Sequence, residues 1–251
     1  VLIIYTNIQT MLTETNLIQE TKEKLIAKLQ PSGWAEKLRV FLNSEDFTRI
    51  LEKLHQEVID GKRFTPGLKH VFSAFEKCPF ETTKVIFIGQ DPYFTLGVAD
   101  GMAFSCSITG KPQPSLKYMF QAIEEHVKFE DRESAEVEQN PDLTRWANQG
   151  VLLLNSAFTT QIGKPATHYE IWKDFIVYVI DTLCSKKNNL IFVLMGKQAE
   201  SFKHYISNQQ VICVSHPASA AYQKAQSWNG GAMFNAVNES LKQKGINTIK
   251  W

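Results

Sequence analysis

Four short apolar runs punctuate the middle and C-terminal parts of the chain, at Lys84–Gly89, Gly150–Asn155, Leu190–Met195 and Val211–Ser215. Each has the length of one strand, and each is apolar enough to read as a buried one. Between them, apolar residues recur at helical intervals over Ser115–Lys128, His168–Leu183 and Gly196–Tyr205, and a last helical stretch covers Gly231–Lys244. The first part of the chain is helical throughout. Leu12–Leu29 carries Leu17, Leu25 and Leu29 at helical spacing, and Pro31-Ser32-Gly33 stops it. Trp34–Leu42 and Glu45–Gly61 follow, the latter with Phe47, Ile50, Leu51, Leu54 and Val58 on one face. Leu68–Phe75 reads as a short helix after Pro66. Strands separated by helices pair in parallel, with helices on both faces. The expected fold is therefore α/β, a three-layer αβα arrangement with a central four-stranded parallel twisted sheet. With no internal repeat and no low-complexity linker, residues 1–251 are read as one domain, in which 1–59 form a helical lead-in.

The polar residues at the strand ends change the picture. The first strand ends in Gln90-Asp91, the second in Asn155-Ser156, the third in Gly196-Lys197 and the fourth in Ser215-His216-Pro217. In a parallel sheet all four ends lie on one edge, where open α/β sheets hold their ligands. Any one of these residues alone reads as a cap or a turn. All four together point to a site. A carboxylate at one strand end and a His at another stabilise opposite charges across a breaking bond. The chain contains no G-x-G-x-x-G, no P-loop, no metal-ligand spacing and no G-x-S-x-G turn. Hydrolysis or group transfer without a metal or a nucleotide fits this set.

Composition adds bounds. The formal net charge is +1, so no global signal for nucleic acid is present. The distribution is uneven: residues 124–142 carry eight acidic and two basic side chains, and residues 186–251 carry eight Lys and two Glu. The basic half is able to face a phosphate backbone, or the two segments are simply differently solvated surfaces. The acidic stretch before Pro141 reads as an exposed helix-loop excursion. Cys78, Cys106, Cys184 and Cys213 have no metal-type spacing and read as reduced, mostly buried thiols of an intracellular protein. No apolar run is long enough to span a bilayer, so no membrane association is expected. Val1–Tyr5 lacks the basic flank of a signal peptide. Residues before Met11 read as an extension.

At this point the motifs resemble those of the family 1 uracil-DNA glycosylases, over residues 60 to 251. They are Phe72-Ser73-Ala74-Phe75, Gly89-Gln90-Asp91-Pro92-Tyr93, Gly101-Met102-Ala103-Phe104-Ser105, Pro114-Ser115-Leu116, Gly150-Val151-Leu152-Leu153-Leu154-Asn155, Leu194-Met195-Gly196, Ser215-His216-Pro217 and the closing Ile249-Lys250-Trp251. The resemblance implies a monofunctional enzyme that flips deoxyuridine out of DNA, hydrolyses its N-glycosidic bond and leaves an abasic site. It implies that Asp91 stabilises the cationic sugar and positions water, and that His216 hydrogen-bonds uracil O2. It implies that Asn155 reads the uracil edge, Gln90 holds O2, Phe104 stacks on the base and Tyr93 excludes the methyl group of thymine. Backbone-pinching loops are implied at Pro114 and Ser115, at Gly196, and at Ser215, Pro217, Ala218 and Ser219. No cofactor or metal is implied. The implied partner is uracil-containing DNA, single- or double-stranded, acted on by a monomer. A DNA-mimic inhibitor protein is a candidate second partner. The implied compartment is intracellular, cytoplasmic in a bacterium or virus and nuclear in a eukaryote.

Three departures stand out. Phe94 replaces a family His that contacts phosphate and helps orient the water. The family H-P-S-P-L-S reads His216-Pro217-Ala218-Ser219-Ala220-Ala221 here, so by counting Ala220 takes the place of the Leu that wedges the duplex. Tyr222 and Trp228 are candidates to supply that wedge, the alternative being that both pack the loop. Lys197, after Met195-Gly196, is either a phosphate contact or a solvated Lys at a helix start. Two rival readings remain open at this stage: a glycosylase for another modified pyrimidine, and a weakly catalytic DNA-binding or polymerase-accessory protein.

Overall fold

The computed structural model describes residues 2–134, 139–224 and 227–251, with side chains from Asn16 onward. Six strands are described: β1 (Phe64–Thr65), β2 (Val85–Gly89), β3 (Val151–Asn155), β4 (Thr160–Gln161), β5 (Ile191–Met195) and β6 (Gln210–Val214). The four apolar runs pair in parallel in the order β3-β2-β5-β6. Every residue of β2 and β5 is buried, and successive side chains of a strand point to opposite faces. Both faces of the sheet are therefore covered by helices, as the continuous apolar runs require. β1 and β4 form a separate antiparallel ribbon that the sequence pattern does not announce.

Register brings the strand ends level. Gly89 pairs with Asn155, Ile88 with Leu194, and Met195 with Val214. The chain leaves β2 for β3 on one side, then passes β2 to reach β5 on the other. The crevice at the carboxyl end of β2 is the place where connections diverge, and open sheets bind ligands there.

The helices are α1 (Leu2–Leu29), α2 (Trp34–Lys37), α3 (Arg39–Leu42), α4 (Glu45–Ile59), α5 (Ser73–Lys77), α6 (Pro114–His126), α7 (Thr144–Asn148), α8 (Tyr169–Lys186), α9 (Lys197–Glu200), α10 (Ala218–Tyr222) and α11 (Met233–Gln243). Local chemistry sets several boundaries. The Ser44 hydroxyl accepts from the Phe47 N–H at the start of α4, where Glu45 and Asp46 face the positive helix end. Pro114 opens α6 at a position that has no N–H to lose. A buried aromatic cluster of Phe72, Phe75, Phe158 and Phe175 joins the helical layer to the end of β3. Each such ring stabilises the fold by roughly 1.5–3 kcal/mol. The closing Trp251 stacks on Phe87 of β2 at 5.7 Å.

Several expectations are corrected. Leu17 and Val58 are exposed, and the buried face of α1 runs through Ile18, Leu25 and Leu29. The Trp34–Leu42 helix is split at Leu38, whose φ of −99° and ψ of 5° leave the helical region. The helix expected over Gly196–Tyr205 is α9 followed by a single 3-10 turn at Lys203–Tyr205. In the acidic stretch, Asp131 is buried and accepts from Lys242 Nζ at 3.3 Å and from the Thr248 hydroxyl at 3.1 Å. Part of that stretch, residues 135–138, lies outside the described residues. All four cysteines are free thiols, but only Cys78 and Cys106 are buried. Among the described residues no helix is long and apolar enough to cross a membrane.

Candidate active site

The turn after β2 begins where only glycine fits. A Cβ on Gly89 would lie 2.8 Å from Asn155 Oδ1 and 3.2 Å from the Phe104 ring. The missing side chain lets Asn155 and Phe104 close over the strand end. Asp91 follows two residues later. Its Oδ2 accepts the Ala166 N–H at 2.6 Å. Burial raises the Asp91 pKa above the ordinary carboxylate value, and the Ala166 N–H opposes the rise by favouring the ionised form.

Phe104 is held in an uncommon backbone conformation. Its φ is +66°, a region that costs a non-glycine residue about 1 kcal/mol or more. Asp100 maintains it. This buried carboxylate accepts from the Met102 N–H at 3.1 Å, the Ser105 hydroxyl at 2.6 Å, and the Ser107 N–H and hydroxyl at 2.9 and 2.7 Å. The Tyr93 hydroxyl donates to the Phe104 carbonyl at 2.8 Å. Burial pushes the phenol pKa well up, so the hydroxyl keeps its proton and the ring stays in place.

His216 enters from the end of β6. Gly196, at φ +90°, lies directly behind it, and a Cβ there would come within 3.0 Å of the His216 Cβ. Burial lowers the His216 pKa to about 4, so the ring is neutral at physiological pH. The Ala218 N–H donates to His216 Nδ1 at 3.2 Å. Nδ1 is thus the acceptor, and Nε2 carries the proton. The ring sits 5.6 Å from that of Phe104. The Asn155 amide, the Gln90 amide and His216 Nε2 have no hydrogen-bond partner among the described residues.

These groups face one cavity of about 640 Å³. Of the residues singled out in the sequence, Gln90, Asp91, Tyr93, Phe94, Phe104, Pro114, Ser115, Asn155, His216, Ala218, Ser219 and Tyr222 line it. Gly196, Lys197, Ser215, Pro217 and Ala220 are not part of its wall. Lys197 is exposed at the start of α9. The Ser215 hydroxyl donates to Asn229 Oδ1 at 2.5 Å and accepts from the Trp228 indole at 3.1 Å. Simple counting placed Ala220 at the wedge position, but it is 3% exposed and turned into the protein, where α10 packs on α6. Trp228 is 2% exposed, so it packs the loop. Tyr222, two residues on from Ala220 and so on the opposite face of α10, is 84% exposed at the cavity mouth. Phe94 is 41% exposed on the same mouth.

Asp100 and Ala166 escaped the sequence reading. For Asp100 a signal was present, since Ser105 and Ser107 supply donors close by in sequence. For Ala166 there was none, because its contribution is a backbone N–H.

The profile of the Uracil DNA glycosylase superfamily matches residues 75–242. The uracil-DNA glycosylase of Acinetobacter baumannii strain SDF is 32% identical over 238 residues, covering 94% of this chain and 98% of that protein. The chain belongs to the uracil-DNA glycosylase superfamily. The uracil-DNA glycosylase of Borrelia turicatae is 35% identical over 215 residues, covering 84% of this chain and 93% of that one. Among solved structures, mimivirus uracil-DNA glycosylase shares the fold, with a TM-score of 0.76 at 24% identity over 90% of this chain and 88% of that one. A variant of mimivirus UNG in complex with UGI superposes with a TM-score of 0.75 at 24% identity, covering 87% of each chain. In this superfamily member the matched region runs from α5 to α11. It contains the whole sheet and every residue of the cavity wall.

Proposed function

We propose that the cavity takes a uracil flipped out of DNA, and that Asp91 and His216 act on opposite sides of its glycosidic bond. The chain is a uracil-excising DNA repair glycosylase, a hydrolase of N-glycosyl bonds. What carries the assignment of roles is the convergence of a half-buried carboxylate, a neutral His with its proton on Nε2, and an amide without an internal partner. As the bond breaks, its electron pair leaves with uracil N1 and the charge spreads to O2. The Nε2–H of His216 donates to that oxygen, and a neutral ring does so without paying for a buried cation. The sugar becomes cationic at C1′, facing the Asp91 carboxylate. Water adds at C1′ and gives up a proton, so the products are free uracil and an abasic site.

Selectivity follows from the walls. Asn155 presents both a donor and an acceptor to the uracil edge, which cytosine mispairs. Tyr93, anchored through its hydroxyl, occupies the space beside C5 and clashes with a thymine methyl. Phe104 supplies the stacking face, and Gln90 the second contact to O2. At the mouth, Tyr222 is the side chain placed to fill the vacated stack. Pro114, Ser115, Ala218 and Ser219 face the phosphates there, with Gly196, Ser215 and Pro217 shaping the loop and Lys197 farther out. A DNA-mimic inhibitor protein is a candidate occupant of the same mouth.

The test is release of free base from oligonucleotides that carry uracil, thymine or a 5-substituted uracil, run at two salt concentrations. Release from uracil DNA alone, weakening as salt rises, is expected. Release of a 5-substituted base in preference to uracil would overturn the role given to Tyr93.

A further inference from the structure

One sequestered titratable pair lies outside the cavity. His168, just before α8, has no exposed surface. Its Nε2 is 2.9 Å from Glu57 Oε2 on α4, and its Nδ1 is 2.8 Å from the Thr159 hydroxyl oxygen. The Trp172 indole donates to the same Thr159 oxygen at 2.7 Å. The Gln161 amide donates to the other Glu57 oxygen at 2.7 Å. The protons follow from this geometry. The Glu57 carboxylate only accepts, so His168 Nε2 carries hydrogen. Burial lowers the His168 pKa, with the Glu57 carboxylate opposing and Lys62 the other charge facing the ring. A neutral ring then accepts at Nδ1, and the Thr159 hydroxyl proton goes there. The Thr159 hydroxyl thus accepts from Trp172 and donates to His168.

The segment between Thr159 and His168 ends at both of these anchors. It carries Ala166, whose N–H reaches Asp91 Oδ2, and Ala166 sits at φ +60°. A non-glycine residue holds that conformation only where its surroundings fix it. Internal bonds add to the hold: the Thr160 hydroxyl donates to the Lys164 carbonyl at 2.8 Å, and the Gln161 N–H to the Thr167 hydroxyl at 2.9 Å. We propose that the Glu57–His168–Thr159 chain is a positioning device for Asp91: it ties the two ends of residues 159–168 to each other and fastens His168 and Gln161 to Glu57 of α4, and so aims the Ala166 N–H at the carboxylate. The inference rests on the reading of Asp91 as the group that faces the cationic sugar. It also gives α4, which precedes the residues matched by the superfamily profile, a part in catalysis.

Glu57 is partly exposed, so its replacement is the milder probe. Glu57→Ala is expected to lower single-turnover uracil release roughly tenfold to a hundredfold, with half-saturating DNA within about twofold of the parent. Its acid limb moves to higher pH, because Asp91 loses a hydrogen bond that favours ionisation. Glu57→Gln keeps an acceptor for His168 and a partner for a reoriented Gln161 amide, so it restores most of the rate. If Glu57→Ala does not fold, the near-isosteric Thr159→Val removes the hydroxyl between Trp172 and His168 and should show the same loss. An unchanged single-turnover rate in the folded variant overturns the inference, as does an equal loss in Glu57→Gln. Asp91→Asn is run alongside. Full activity there removes the role of Asp91 itself, whereas lost activity there with an intact Glu57→Ala removes only the positioning device.

Discussion

At the floor of the cavity, Asp91, Asn155 and His216 stand on the ends of β2, β3 and β6, each fixed by the sheet register or by a named hydrogen bond. At the mouth, Phe94 and Tyr222 are 41% and 84% exposed, and their rings have no such restraint. The floor keeps the residues that the family resemblance implies. The mouth departs from them at Phe94, and the α10 segment behind it departs at Ala220. Physical chemistry accounts for the contrast. Charge stabilisation at a breaking bond depends on donors and carboxylates held to within a fraction of an ångström. Grip on a phosphate backbone and stacking against bases tolerate other side chains in nearby positions.

The comparison breaks first at Asp91. Asp91→Asn is expected to slow base release about a hundredfold to a thousandfold while DNA binding survives. The same variant should melt at a higher temperature than the parent. The folded-state pKa of Asp91 is raised, so at neutral pH its half-buried charge opposes folding, and the amide removes it. Lost activity with lowered stability would mean that the carboxylate holds the fold.

His216→Leu should cost about a hundredfold in release, since one donor to the developing anion is lost. Its stability profile carries a sign. The folded His216 pKa is about 4 against an ordinary 6.5, so the unfolded chain binds the extra proton between those values. The parent's stability contribution from this residue is complete above pH 6.5 and falls as pH drops toward 4. Urea titrations across that range should show a shallower loss in His216→Leu.

Tyr93→Ala sharpens the boundary between chemistry and selectivity. It should release measurable thymine, lowering the uracil-to-thymine ratio by roughly tenfold or more, because only a methyl clash separates the two bases. The mouth should respond least. Tyr222→Ala is expected to reduce release from duplex DNA several-fold more than release from single strands, since only the duplex leaves a stack to fill.

The floor was legible in the sequence because its signals are local. Apolar runs mark strands, and the polar residue that ends each run must lie at the sheet edge. Gln90, Asp91, Asn155 and His216 are all found that way. The mouth was less legible because its residues lie on a short helix, α10, absent from the expected elements. Counting along an assumed loop put Ala220 outward, whereas helical rotation turns it in and Tyr222 out. Phe104 at positive φ depends on tertiary context. So does the Ala166 N–H, which no residue type reveals.

The most direct measurement is single-turnover release of uracil from single-stranded uracil DNA at saturating protein, with Asp91→Asn and the double variant Phe94→Ala/Tyr222→Ala side by side. Saturation removes differences in grip, and single strands remove the need for a wedge. A collapse in the first variant and a rate within a few-fold of the parent in the second is the predicted result. Comparable losses in both would contradict the division between a catalytic floor and a replaceable mouth.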